Sequence, residues 1–156
     1  MCLAKGLGGG FPVGACLATA RAAGGMTAGT HGSTFGGNPL AMAVANAVLD
    51  IVLQTGFLEQ VERLGGLLRT ALERLTTRHP KVFLEVRGQG LMMGLRCGPA
   101  NTRVVDLARE NGLLVIGAAD NVVRFLPPLI IESVHIDLAA EIVDRVGGIL
   151  ASQEGA

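Results

Sequence analysis

The stretch that organises the chain reads Leu3-Ala4-Lys5-Gly6-Leu7-Gly8-Gly9-Gly10-Phe11-Pro12-Val13-Gly14-Ala15. Lys5 is the only charged side chain before Arg21, and it is one of only two lysines, the other being Lys81. An amine in apolar, glycine-rich surroundings is poorly hydrated, and desolvation lowers the pKa of lysine and makes its nitrogen a nucleophile toward carbonyls. The glycines let the backbone approach a bound molecule closely. Lys5 is therefore a candidate Schiff-base lysine, and the alternative is a solvated lysine in a turn.

Three further blocks follow in order along the chain. They read Gly29-Thr30-His31-Gly32-Ser33-Thr34-Phe35-Gly36-Gly37-Asn38-Pro39-Leu40-Ala41, Val86-Arg87-Gly88-Gln89-Gly90-Leu91-Met92 and Val123-Arg124-Phe125-Leu126-Pro127-Pro128-Leu129. With the lysine stretch, these blocks resemble the signature segments of class III pyridoxal-phosphate aminotransferases, in the form typical of the acetylornithine and succinylornithine aminotransferase branch. Four blocks in order across nearly the whole chain are a specific signal, whereas one alone would be weak.

The resemblance implies a fold class and a division into domains. We expect an α/β protein that corresponds to the C-terminal part of a fold-type I PLP-dependent transferase. Residues 1–80 would form the end of the cofactor-binding large domain, with the lysine loop and connecting helices, and residues 81–156 an α+β small domain. In this family a pyridine-binding aspartate and a phosphate-binding turn precede the lysine, whereas Met1 stands four residues ahead of Lys5. We therefore expect the chain alone neither to hold the cofactor tightly nor to transaminate.

Two neighbouring hydroxyls, those of Ser33 and Thr34, lie in a run closed by Gly36 and Gly37. Hydroxyls beside accessible backbone N–H groups suit an anion such as phosphate. The alternative is that both side chains cap a helix or stabilise a turn. The resemblance implies that Ser33 and Thr34 bind the phosphate of pyridoxal 5'-phosphate, Thr34 doing so in the neighbouring subunit. A homodimer with shared sites is expected on that basis.

Arg124 stands within the apolar run Val122-Val123-Arg124-Phe125-Leu126. A guanidinium in such a strand suits bidentate capture of a carboxylate, and the alternative is a structural pair with an acidic neighbour. The resemblance implies that Arg124 binds a carboxylate of the amino-acid or 2-oxo-acid substrate. Arg87, which precedes Gly88, is interpreted as a structural residue that holds a strand end.

Composition excludes several other classes of function. The 156 residues carry 13 basic and 13 acidic side chains without a Lys/Arg cluster, which argues against nucleic acid or an anionic membrane as partner. Cys2, Cys16 and Cys97 share no CxxC spacing, so neither a disulfide framework nor a zinc site is indicated. The three histidines are far apart, and no metal site is expected. A cytoplasmic location is predicted, because neither a membrane span nor a secretory signal is apparent.

Hydrophobic periodicity predicts the order of the elements. A buried strand is expected over residues 12–19, and a helix buried on most sides over residues 40–54, begun by Asn38 and Pro39. A helix over 57–78 would bury the stripe Leu58, Val61, Leu64, Leu68, Leu72 and Leu75, read as a core face rather than a partner-binding face. Beyond Pro80 we expect strand pairs at 82–87 with 91–97 and at 113–116 with 122–126, a helix capped by Asn101 between them, and a last helix from Ser133 that buries Leu138, Ile142, Val146 and Ile149.

Two functions of different classes follow. The first, which the resemblance implies, is PLP-dependent transamination of N-acetylornithine, or a similar ω-amino substrate, with 2-oxoglutarate as the amino acceptor. Lys5 would be the catalytic and cofactor-binding residue. The second is a truncated, non-catalytic α+β module that acts by associating with another chain, for which the nearly uncharged first third offers a large apolar surface.

Overall fold

The computed structural model describes residues 1–153 as a mixture of helices and short strands. Contacts divide the chain into two compact units, with the boundary between Leu58 and Glu59. The sequence-based division at residue 80 concerns the domains of a larger fold, and it stays a prediction.

The first unit is built around a two-stranded antiparallel ribbon. It contains β1 (Cys2–Leu3), a single 3-10 turn (Lys5–Gly8), β2 (Ala15–Cys16), α1 (Ala20–Ala23) and α2 (Pro39–Val52). The buried strand expected over residues 12–19 is wrong in length and burial, because β2 spans only Ala15–Cys16 and both residues are exposed.

Helix α2 begins as the sequence predicts. The Asn38 side chain accepts a hydrogen bond from the Ala41 N–H at 2.9 Å, and Pro39 occupies the first turn. The predicted burial on most sides is wrong for this chain, since only Ala41 and Ala45 are buried. The exposed apolar side chains of α2 include Leu40, Met42, Leu49 and Ile51. The described residues do not cover this surface.

The second unit is a four-stranded antiparallel sheet with helices packed on one face. Its elements are α3 (Phe57–Arg78, all but its first two residues), β3 (Phe83–Gln89), β4 (Met92–Cys97), α4 (Asn101–Glu110), β5 (Ile116–Ala118), β6 (Val122–Phe125) and α5 (Ser133–Gln153). The sheet order is β3-β4-β6-β5. The first predicted strand pair is confirmed, while in the second pair β5 begins three residues later than expected.

Alternation along the strands gives the sheet a core face and an open face. Met93, Leu95 and Cys97 of β4 are buried in one aliphatic cluster with Val123 and Phe125 of β6. The intervening residues Gly94, Arg96 and Arg124 therefore point to the opposite face. This placement decides which arginines are available for binding.

Helices α3 and α5 supply the rest of that core. The predicted stripe of α3 is confirmed for Leu64, Leu68, Leu72 and Leu75, whereas Leu58 is exposed. The predicted stripe of α5 is correct for Ile142 and Val146, but Leu138 is 54% exposed and Ile149 is half-buried. The buried face of α5 is instead centred on Ile136, Val143, Val146, Gly147 and Leu150. Apolar residues occupy so many positions of α5 that periodicity alone placed the centre of its buried face too far to one side.

Helix α4 is capped differently from the prediction. Asn101 is its first helical residue, and the backbone N–H of Asn101 donates to Asn121 Oδ1 at 2.7 Å. The Asn101 side chain donates to the Ala118 and Val122 carbonyl oxygens, so it braces the β5–β6 hairpin. The expectation that Asn101 caps α4 is therefore wrong, because a residue 20 positions later in sequence provides the acceptor.

Candidate functional site

Lys5 occupies an unusual backbone position. Its φ of 58° lies in the left-handed region, which non-glycine residues seldom adopt and which is enriched at functional sites. The side chain is exposed, and Lys5 lines a shallow, open pocket of about 590 Å³ with Ala4 and residues 10–14. Residues 1–153 offer it no ion pair and no hydrogen bond to its amine. The dry surroundings expected from the sequence are thus not provided by the described part of the chain.

The glycines after Lys5 allow a tightly packed loop. A Cβ on Gly8 would lie 2.7 Å from Val13 Cγ1, and one on Gly9 would lie 3.1 Å from Val48 Cγ2 of α2. Gly10 has a φ of 109°, which L-residues rarely adopt, and it faces open space. One side of the loop is therefore held by packing while the side near Lys5 presents bare backbone to the pocket.

Ser33 and Thr34 lie in an exposed segment just before α2. Neither hydroxyl makes a hydrogen bond within the described residues. Capping of α2 is done by Asn38, whose side-chain nitrogen also donates to the Phe35 carbonyl at 2.8 Å. The capping role that was the alternative for Ser33 and Thr34 is filled by Asn38. Phe35 itself is 81% exposed, an unusual state for a large aromatic side chain.

Arg124 lies on the open face of the second unit's sheet, between Gly94 on β4 and Ile116 on β5. Its Nε atom is buried, and the described part of the chain gives it no hydrogen-bond partner. A buried donor without an acceptor costs about 1–3 kcal/mol, so an acceptor that reaches this atom is bound favourably. Arg124 also forms no ion pair with an acidic side chain of residues 1–153, so these residues do not provide the structural alternative.

The other arginines of the open face are already neutralised. Arg87 Nε contacts Glu85 Oε2 at 3.1 Å and Arg87 Nη1 contacts Asp120 Oδ2 at 3.3 Å. Arg96 Nε contacts the same Glu85 oxygen at 3.3 Å. The hydrogen bond to Glu85 raises the pKa of Arg87. These contacts agree with a structural role for Arg87 and leave Arg124 as the arginine of this face without an acidic partner among residues 1–153.

The candidate residues are divided between the two units. Lys5, Ser33 and Thr34 belong to the first unit and Arg124 to the second. The pocket at Lys5 is not lined by Ser33 or Thr34. Sequence reasoning missed the positive φ of Lys5, for which a glycine-rich context is the only signal.

Residues 1–153 show neither a candidate metal site nor a single helix suited to span a membrane. These residues contain no cluster of three or more His, Cys, Asp or Glu side chains suited to a metal ion. None of their helices is by itself long and apolar enough to cross a bilayer; α2 and α3 meet that criterion only when counted together across a bend.

The family model for class III aminotransferases matches residues 1–146. The chain belongs to this family. The match includes the lysine stretch, the Ser33-Thr34 segment and Arg124, so the predicted family is confirmed.

Acetylornithine aminotransferases are among the relatives of this class III aminotransferase chain. It is 58% identical to the acetylornithine aminotransferase of Brucella melitensis over 130 residues, which are 83% of this chain and 32% of that protein. It is 49% identical to acetylornithine aminotransferase 1 of Bradyrhizobium diazoefficiens over 99% of this chain and 38% of that protein. The predicted branch is therefore confirmed. The chain spans about a third of the length of these curated relatives.

Solved aminotransferases share the fold. The acetylornithine aminotransferase of Elizabethkingia anophelis superimposes with a TM-score of 0.84 and 36% identity, covering 93% of this chain and 39% of that one. The ornithine aminotransferase of Toxoplasma gondii, whose active site is partly occupied by PLP, gives a TM-score of 0.89 at 31% identity over 99% of this chain and 38% of that one. The predicted fold class, part of a PLP-dependent aminotransferase fold, is confirmed.

Proposed function

We propose that this chain is part of a PLP-dependent aminotransferase that transfers the amino group of N-acetylornithine, or a similar ω-amino substrate, to 2-oxoglutarate. The observation that carries the proposal is the class III match over residues 1–146, which includes every candidate site residue. The acetylornithine aminotransferases among the relatives support the choice of substrate. A cytoplasmic location belongs to the same proposal.

The residues around Lys5 fit pyridoxal 5'-phosphate. Lys5 lines an open pocket, and its amine forms no ion pair within the described residues. Gly10 has no side chain and faces open space, which leaves room beside Lys5. When bound, the cofactor withdraws electrons from the substrate carbon that carries the amino group. Lys5 Nζ holds the cofactor and moves the proton at that substrate carbon.

Ser33 and Thr34 bind the cofactor phosphate in this proposal. Both hydroxyls are exposed and have no hydrogen-bond partner within residues 1–153, so they remain available as donors. Thr34 acts in the site of a neighbouring subunit. The exposed apolar surface of the first unit supports association with a second copy, because Phe35 and Leu40 are 81% and 62% exposed.

Arg124 binds a carboxylate of the amino-acid or 2-oxo-acid substrate. Its buried Nε atom lacks an acceptor among the described residues, and a carboxylate supplies one in the planar geometry that guanidinium prefers. The neighbouring Arg87 and Arg96 are paired with acidic side chains, so they are poorer candidates for this contact.

The test uses the complete gene product and the half-reaction with N-acetylornithine. Lys5→Ala is expected to abolish turnover of the half-reaction, while Lys81→Ala, the matched change at the other lysine of the chain, leaves it intact. Retained turnover in Lys5→Ala would remove Lys5 from the mechanism. The isolated 156-residue chain is expected to bind the cofactor only weakly, which a spectroscopic titration measures.

A non-catalytic module that associates with another chain is the second candidate. The exposure of Lys5 and of the apolar face of α2 favours it, since both leave the first unit uncovered. The two candidates differ in one readout. The catalytic proposal requires the complete gene product to bind pyridoxal 5'-phosphate in stoichiometric amount, whereas the module would not bind it.

A further inference from the structure

Two cysteines face each other across the ribbon that flanks the Lys5 turn. Cys2 of β1 and Cys16 of β2 are direct cross-strand partners. The neighbouring pair, Met1 and Leu17, exchanges two backbone hydrogen bonds, with the Met1 nitrogen donating at 2.7 Å and the Leu17 nitrogen at 2.8 Å. Because such pairs alternate in an antiparallel ladder, Cys2 and Cys16 form a pair without backbone hydrogen bonds, in which side chains lie closest.

The sulfur atoms are already in contact. Cys2 Sγ lies 3.9 Å from Cys16 Sγ, and both cysteines are free and exposed. A disulfide needs a separation of about 2.0 Å between sulfurs and Cα atoms about 4.4–6.8 Å apart, and a directly opposite antiparallel pair has Cα atoms about 4.5–5.5 Å apart. Rotation of the two side chains therefore closes the remaining gap without moving either strand.

We infer that Cys2 and Cys16 are a redox modification site that forms a reversible intramolecular disulfide by exchange with a low-molecular-weight disulfide. One protein thiolate attacks that reagent, forming a mixed disulfide and releasing one thiol. The second protein thiol then attacks the protein sulfur of the mixed disulfide and releases the other half of the reagent as a thiol. One S–S bond forms and one breaks, the two cysteines are oxidised, the reagent is reduced, and both protons pass to the released thiols.

The contact with Cys16 affects the ionisation of Cys2. The hydrogen bond between the two thiols, together with the charge on a Cys16 thiolate, raises the pKa of Cys2. Simultaneous ionisation of both thiols is therefore disfavoured. Cys97 differs in every respect, because it is buried, has no cysteine neighbour, and burial raises its pKa to about 11.

The disulfide would enclose the Lys5 turn and the glycine loop in a covalent ring. Residues 3–15 all lie between the two bridged positions, so their backbone freedom is reduced in the oxidised form. The inference does not depend on the proposed enzymatic activity, because formation of the disulfide depends only on the register of β1 with β2.

The test counts free thiols in the 156-residue chain after incubation with oxidised glutathione. Alkylation under denaturing conditions, followed by mass spectrometry, is expected to find one free thiol of three and no bound glutathione, and dithiothreitol should restore all three. Peptide mapping should place the bond between Cys2 and Cys16. Cys97→Ser should still lose two thiols, whereas Cys2→Ser and Cys16→Ser should retain glutathione on the remaining exposed cysteine.

A matched control keeps the number of thiols and changes only the face of β2 on which one of them lies. Ala15→Cys combined with Cys16→Ala moves the sulfur to the other face of β2, since successive side chains point to opposite faces. This variant should form no internal disulfide. The inference is overturned if wild-type protein retains three free thiols, carries glutathione without closing the ring, or cross-links between chains, and equally if the control closes the ring as readily.

Discussion

Arg124 on β6 pairs directly with Gly94 on β4, so no side chain from the neighbouring strand covers that flank of the guanidinium. A Cβ at Gly94 would lie 2.8 Å from Val122 Cγ1, so any larger residue at this position would require the Val122 side chain to move. The result is an arginine whose Nε atom is buried but which no acidic side chain of residues 1–153 neutralises. This pairing supports the proposal that Arg124 binds the substrate carboxylate.

Replacing Arg124 tests that placement. In the complete gene product, Arg124→Lys keeps the charge but removes the planar fork of donors, so the KM for the carboxylate substrate should rise on the order of ten- to a hundredfold. Arg96→Lys is the matched control on the same sheet face, where Arg96 is paired with Glu85 and the change should leave KM within about twofold. Steady-state kinetics on both variants provides the comparison. Equal KM values for Arg124→Lys and wild type would exclude the contact.

Mixed dimers test the role of Thr34 across subunits. Lys5→Ala and Thr34→Ala subunits should each be nearly inactive as homodimers. In a heterodimer of the two, one site combines both changes and the other has neither, provided that Thr34 serves the partner's site. Mixing should restore about a quarter of wild-type activity, because about half of randomly formed dimers are mixed and each has one intact site of two. No recovery in separated heterodimers would place Thr34 in its own subunit's site.

The same substitution at two adjacent glycines of α3 is expected to change the free energy of unfolding in opposite directions. A Cβ on Gly65 would lie 2.6 Å from the Gly90 carbonyl oxygen, so Gly65→Ala should lower the free energy of unfolding by about 1–3 kcal/mol. A Cβ on Gly66 meets no atom within 4 Å, so Gly66→Ala should raise that free energy by about 0.5–1 kcal/mol through helix propensity. Urea unfolding measures both changes. A shift of both midpoints in one direction would contradict the described packing of α3.

How far the sequence predicted the fold depends on how local the deciding interaction is. The stripe of α3 from Leu64 to Leu75 was predictable because apolar and charged residues alternate with helical period. The acceptor at the start of α4 was not, since Asn121 lies in a distant hairpin and itself has a φ of 57°. Its amide also donates to the Cys97 and Pro99 carbonyl oxygens, contacts that only the folded sheet creates.

The same distinction applies to the candidate site. Lys5, Ser33, Thr34 and Arg124 were found from local sequence blocks, but their surroundings were not. The contact of Arg96 with Glu85 depends on cross-strand register, whereas Arg87 and Glu85 lie two residues apart on β3. Arg124 has no acidic partner among residues 1–153. The opposition of Cys2 and Cys16 likewise depends on register, and their spacing in sequence gave no sign of it.

The central claim is that Lys5 holds the cofactor. The most direct measurement reduces the cofactor-loaded complete gene product with borohydride, which fixes the cofactor to its lysine, and then maps the labelled peptide by mass spectrometry. The account predicts the label on Lys5, with none on Lys81, and no label on this chain when Lys5 is replaced by Ala. A label on any other lysine of the wild-type protein would contradict the account.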